Sequence, residues 1–276
     1  IDKYANAEPG SARYTETMKY ENIEKIKTSD GLRIVIVKGM PSPWSQAARA
    51  IFNYKELDYI VGAQLPGDAN PELVEWSGHN SGPVVAFDSE TPIHRWLDIV
   101  LLAERLAPER SILPKDGQER INVVGLSHEV SGDLGLGWWA RVAMFHPAMS
   151  APERPEALLS MAAKWGYSEE RGKNAAREIA IRLNLLNDQL ERNRARGSKF
   201  IVGDSVSALD FHWAAMSILV SPLSEADMPT LPGYYPMFQI CPSLPEVQEA
   251  MTATLLAHRD QMFSDYFVVP FDYVES

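Results

Sequence analysis

The chain has one cysteine, no long apolar run and a deficit of positive charge, and each shortage removes a class of function. Cys241 has no second cysteine for an internal disulfide and cannot build a multi-cysteine zinc site. That usage suits a reducing compartment, so the expected location is cytoplasmic. The longest apolar stretches, such as Ile99 to Ala103 and Ile218 to Val220, fall far short of the roughly 20 residues a membrane-spanning helix needs. Lys and Arg number 26 against 37 Asp and Glu, a net charge of −11. Such a surplus repels phosphate backbones and anionic headgroups, so neither nucleic acid nor a membrane surface is an expected partner. The histidines at 79, 94, 128, 146, 212 and 258 include no pair at i and i+4, and no metal site is expected. A serine-hydrolase elbow is missing too, because Gly125-Leu126-Ser127-His128-Glu129 ends in Glu where glycine is required.

What remains is a chain of 276 residues with 45% hydrophobic content, enough to bury the core of one large domain or two ordinary ones. Residues 1–30 are polar, without a sustained apolar period, and read as an extension that wraps a surface or stays mobile. Leu32 to Lys38 is a β-branched run bounded by glycines, which predicts a buried strand. A helix is expected over Gln46 to Tyr54, a strand over Asp58 to Ala63 and a short helix around Glu72 to Trp76. Strands at Val84 to Phe87 and Pro92 to His94 then lead into a helix over Trp96 to Leu106, giving the order β-α-β-α-β-β-α. After Ala107 to Gly117 the pattern is wholly helical, over Arg120 to Phe145, Pro155 to Trp165, Glu169 to Arg194, Ala208 to Val220 and Leu244 to Ser264. The expected division is an extension over 1–30, an α/β domain over 31–107 and an all-α domain over 117–276. The aromatic ending, Phe267 to Ser276, is expected to pack back on the body.

Three segments stand out chemically. Gly203-Asp204-Ser205-Val206-Ser207-Ala208-Leu209-Asp210 reads as a capping box, with Ser207 capping a helix and Asp210 reaching back to the cap amide. Ser42-Pro43-Trp44-Ser45 has Ser42 at an N-cap and Pro43 at N1, where amides and a partial positive charge favour an anion. Serine also caps helices with no further role. Gly82-Pro83 opens a strand, either through a cis bond or as a trans proline on a sheet edge.

Together these segments resemble the cytosolic glutathione transferases, a thioredoxin-like half followed by an all-helical half, over about residues 31–265. The resemblance implies that Ser42 donates to the sulfur of glutathione and stabilises its thiolate for attack on a small hydrophobic electrophile or for thioether or ether cleavage. It further implies a basic partner at Arg49, with Ser45 a weaker alternative to Ser42, and a cis Gly82-Pro83 bond that docks the cysteinyl backbone. The family's Glu-Ser or Gln-Ser pair is replaced here by His94-Arg95-Trp96-Leu97-Asp98. Arg95 and Asp98 can take the γ-glutamyl charges, or Trp96 can fill the pocket. Trp44 on the apolar side, with Glu129, Asp133, Trp138 and Arg141, would line the second-substrate pocket, although paired tryptophans more often pack in a core or interface. A homodimer is implied. The alternative function is a non-catalytic protein that keeps this scaffold to bind a partner.

Overall fold

The structure, a computed structural model, describes residues 18–273. They form two units. The first contains the chain up to Arg110 together with Leu223–Pro232 and residues from Asp260 onward, and the second contains Ser111–Pro222 with Gly233–Arg259.

The first unit is built on a four-stranded sheet. In chain order its elements are β1 (Tyr20–Glu21), α1 (Ile23–Thr28), β2 (Leu32–Val37), α2 (Pro43–Tyr54), β3 (Tyr59–Gln64), α3 (Pro71–Ser77), β4 (Val84–Phe87) and α4 (Trp96–Leu106). The strand order is β1-β3-β2-β4. In β2, Ile34, Val35 and Ile36 have no solvent exposure, as a central strand covered on both faces requires. It pairs parallel with β3, Leu32 opposite Tyr59 and Val37 opposite Gln64, and antiparallel with β4, Leu32 opposite Phe87. The expected strand at Pro92 to His94 shrinks to one bridge, Ile93 with Val85. Pro92 has no amide to continue a ladder.

Residues 18–30 are not the loose extension that their polarity suggested. β1 adds to the outer side of β3, Tyr20 opposite Val61 and Glu21 opposite Gly62. From α1, fully buried Ile26 enters the cluster of Val35, Leu73 and Val84. A Cβ on Gly62 would lie 2.8 Å from Ile26 Cγ1, so this strand needs glycine where the helix seats. The first unit therefore starts before residue 31, and one apolar residue per turn was too weak a signal to show it. Residues 1–17 lie outside the described chain.

Lys55, at the end of α2, is fully buried. Its Nζ donates to the carbonyls of Ala107 (2.7 Å) and Arg110 (2.8 Å) and pairs with Glu104 at 2.8 Å. A buried ammonium is tolerated only when its donors are satisfied in this way.

The second unit contains α5 (Gly117–Ser131), α6 (Leu136–Met149), α7 (Glu156–Lys164), α8 (Glu169–Arg194), α9 (Ala208–Ser217), α10 (Pro245–Ala250) and the start of α11 (Ala253–Tyr266). The single helix expected over Arg120 to Phe145 is two. Leu134 adopts φ +59° and a Cβ on Gly135 would sit 2.7 Å from the His128 carbonyl, so the chain turns sharply there and glycine is needed at 135 for the close approach. The helix expected over Leu244 to Ser264 also divides, because Thr252 Oγ1 accepts from the Leu255 amide at 3.2 Å and caps α11. In α8 a stripe of Ala175, Ile179, Leu183, Leu186 and Leu190 is buried, the helical period expected of its sequence.

His212 lies buried in α9, and burial pushes its imidazole down to about 3. Its unfolded value is near 6.5, so the folded state excludes a proton that the unfolded state binds. This stabilisation is complete above pH 6.5 and is lost as pH falls below it. Urea midpoints measured between pH 7.5 and 5 are expected to fall, with His212→Phe removing about 1.4 kcal/mol per pH unit of that dependence below pH 6.5.

Candidate functional site

The site begins where β2 ends. Gly39 follows β2 at φ +74°, a conformation that favours glycine, and the chain turns through Met40 and Pro41 to Ser42. Ser42 caps α2, its Oγ accepting from the Ser45 amide at 3.4 Å, with Pro43 in the first turn. Ser42 is buried, and its hydroxyl proton is donated to no acceptor among the described residues. Helix α2 is 12 residues long with no acidic side chain in its first turn, so its N-terminal field is not neutralised locally.

Gly82-Pro83 is a cis peptide, as the sequence resemblance implied. A Cβ on Gly82 would lie 2.9 Å from the Val37 amide nitrogen and 3.0 Å from the Ile36 carbonyl carbon. Gly82 thus presses its backbone against the end of β2, five residues before Ser42, and only glycine fits that approach.

The C-terminal segment closes the same loop from the other side. The Gly39 amide donates to the Tyr273 carbonyl at 3.3 Å, and the Gly39 carbonyl accepts from the Leu231 amide at 3.1 Å. Tyr273 has no solvent exposure. Its carbonyl also accepts from Tyr20 Oη (2.8 Å), and its own hydroxyl donates to the Pro229 carbonyl (2.6 Å). Arg49 on α2 makes a bidentate pair with Asp272, at 2.6 and 2.9 Å. Burial alone would depress the guanidinium, but this carboxylate holds it above its ordinary value.

The remaining expected site residues divide. Trp44 is half-buried beside Ser42 in the first turn. Ser45 is fully buried, and its Oγ has no partner among the described residues. Arg95 stands exposed at the N-cap of α4, its side chain capping nothing; Trp96 is half-buried and Asp98 exposed in the first turn. His94 stacks on His79 with ring centroids 4.0 Å apart. In the second unit Glu129 is tied to Arg182 at 3.2 Å and Asp133 is exposed. Trp138 meets Trp165 edge-on at 5.2 Å, and Arg141 lies over the Phe238 ring at 5.9 Å. Cys241 is buried, its Sγ donating to the Ala140 carbonyl (3.5 Å), and burial pushes its thiol up to about 12. No cluster of three or more metal-ligating side chains occurs among the described residues.

No protein-family model and no curated protein matches this sequence. Solved structures do match. A glutathione S-transferase from Methylobacterium radiotolerans, in complex with glutathione sulfonate, is 15% identical with a TM-score of 0.59, covering 85% of this chain and 91% of its own. A glutathione S-transferase from Xanthobacter autotrophicus is 16% identical, TM-score 0.55, over 86% of this chain and 95% of its own. A glutathione transferase family member from Pseudomonas fluorescens, with two glutathione molecules bound, is 12% identical, TM-score 0.55, over 86% and 97%. A thioredoxin-like unit followed by a helical unit is the class these observations define. The fold of this chain is that of the glutathione transferases.

The pair Arg49–Asp272 and the clamp on Gly39 were not foreseen in residue detail; the aromatic ending was the one available signal. Asp272→Asn leaves Arg49 buried without its counter-charge, and a loss of about 2 kcal/mol in urea unfolding is expected; an unchanged midpoint would show that the pair holds nothing. Cys241 is expected to resist a disulfide reagent at pH 8 in the folded protein and to react once the chain is unfolded in urea.

Proposed function

We propose that this protein is a glutathione transferase in which Ser42 stabilises the glutathione thiolate. The observation that carries the reading is the Ser42 hydroxyl, shielded from water at the start of α2 with its proton uncommitted. A donor so placed, together with the helix N-terminal field, lowers the energy of a thiolate relative to the thiol. The thiol proton leaves to solvent, the sulfur forms a bond to the carbon of a small hydrophobic electrophile, and the leaving group departs with the electron pair. Gly82 offers the main-chain groups for the cysteinyl part, against the end of β2. Arg95, exposed and without a capping role, is suited to a bidentate grip on the γ-glutamyl carboxylate, with Asp98 toward the ammonium. Trp44 supplies apolar surface beside Ser42, and a homodimer is the expected assembly. The glutathione-bound neighbours support glutathione as the cosubstrate.

Calorimetric titration of glutathione is expected to give binding in the micromolar-to-millimolar range, about −8 to −4 kcal/mol. Ser42→Ala is expected to lower turnover of a chloronitrobenzene electrophile by about 100-fold or more, while Ser42→Thr, which keeps both cap and hydroxyl, retains the fold and part of the rate. Absence of glutathione binding, or undiminished turnover by Ser42→Ala, would sink the reading.

A further inference from the structure

Arg141 is a cation without a counter-charge among the described residues. It sits on α6, half-buried, with its Nε shut off from solvent and unpartnered. Its neighbours are the Met144 sulfur, 4.0 Å from Nη1, and the Phe238 ring. No carboxylate among the described residues lies within ion-pairing distance of it, and burial pushes its guanidinium down to about 10. Burial and then the charge of Arg141 lower the Lys164 ammonium on α7, so Arg141 acts there on a charge of its own sign. One helical turn earlier, Trp138 presents a second orphan, a buried indole Nε1–H with no acceptor among the described residues.

Buried donors are ordinarily satisfied, and an uncompensated buried charge is costlier still. Two unmet N–H donors three residues apart, one of them cationic, call for an acceptor that the described chain does not provide. We propose that α6, with the Phe238 segment, binds a small carboxylate-bearing ligand, its carboxylate taken by Arg141 and the Trp138 Nε1–H. The planar guanidinium fits a planar carboxylate better than it fits a compact ion. The ring of Phe238 and the thioether of Met144 provide apolar contact for an attached hydrocarbon body. All of these groups belong to the second unit, and the proposal invokes neither Ser42 nor glutathione.

The test uses the full chain with no glutathione present, so its outcome is separable from that of the transferase assay. Benzoate is titrated against benzamide, its neutral isostere, while tryptophan fluorescence and melting temperature are followed. Benzoate is expected to saturate the fluorescence change and raise the melting temperature, with benzamide at least tenfold weaker. Arg141→Met, which replaces the charge by an unbranched apolar chain, is expected to melt no lower than the wild type and to lose at least tenfold in benzoate affinity. Equal effects of benzoate and benzamide on the wild type, or wild-type benzoate affinity in Arg141→Met, would overturn the proposal. The comparison on the wild type decides the matter even if that variant does not fold.

Discussion

A carboxylate without access to water organises the helical unit. Asp210 has no exposure. Its Oδ2 accepts from the amide and hydroxyl of Ser207 at 2.8 and 2.7 Å, while Oδ1 accepts from the Ile201 amide at 2.9 Å and lies 2.9 Å from His258 Nε2. A charge buried this deeply is costly unless its lone pairs are filled. Filling them binds the loop after α8, the start of α9 and the early part of α11 to a single point. The rest of that unit, including the buried stripe of α8, packs around segments whose positions this carboxylate sets.

The α/β unit uses main-chain groups for the corresponding task. Gly39 spends its amide on Tyr273 and its carbonyl on Leu231, so segments distant in sequence fix the turn that delivers Ser42 to the head of α2. The turn that leads into Ser42 is therefore held by elements beyond its own β-α unit.

How much of this could be read in advance depended on how local the cause was. The box at Ser207 and Asp210 and the cap at Ser42 are decided within a few residues, and their sequences showed them, whereas the cis bond at Pro83 came only from the family resemblance. The change near residue 110 from mixed strands and helices to helices alone was visible, whereas the return of Leu223–Pro232 and of the residues from Asp260 onward to the first unit was not. What escaped was set by contacts across the chain. Asp272 means nothing until it meets Arg49, 223 residues away, and Ile26 is one apolar residue in a polar stretch until Gly62 makes room for it. The glycine turn between α5 and α6 lay between these cases, since the glycines were visible but the depth of the bend was not.

The two-residue strand β1 has a further consequence. β3 would otherwise present a bare line of amides and carbonyls, and unpaired edges recruit strands from other molecules. Tyr20 and Glu21 occupy that line over Val61 and Gly62, and being so short they offer little for another chain to extend. A shortened version of the protein starting at residue 31, where the sequence first looks like a domain, would bare this edge and empty the Ile26 pocket together. Such a fragment would be prone to strand-to-strand association, so the modest polar segment before the first obvious strand covers part of the sheet's edge.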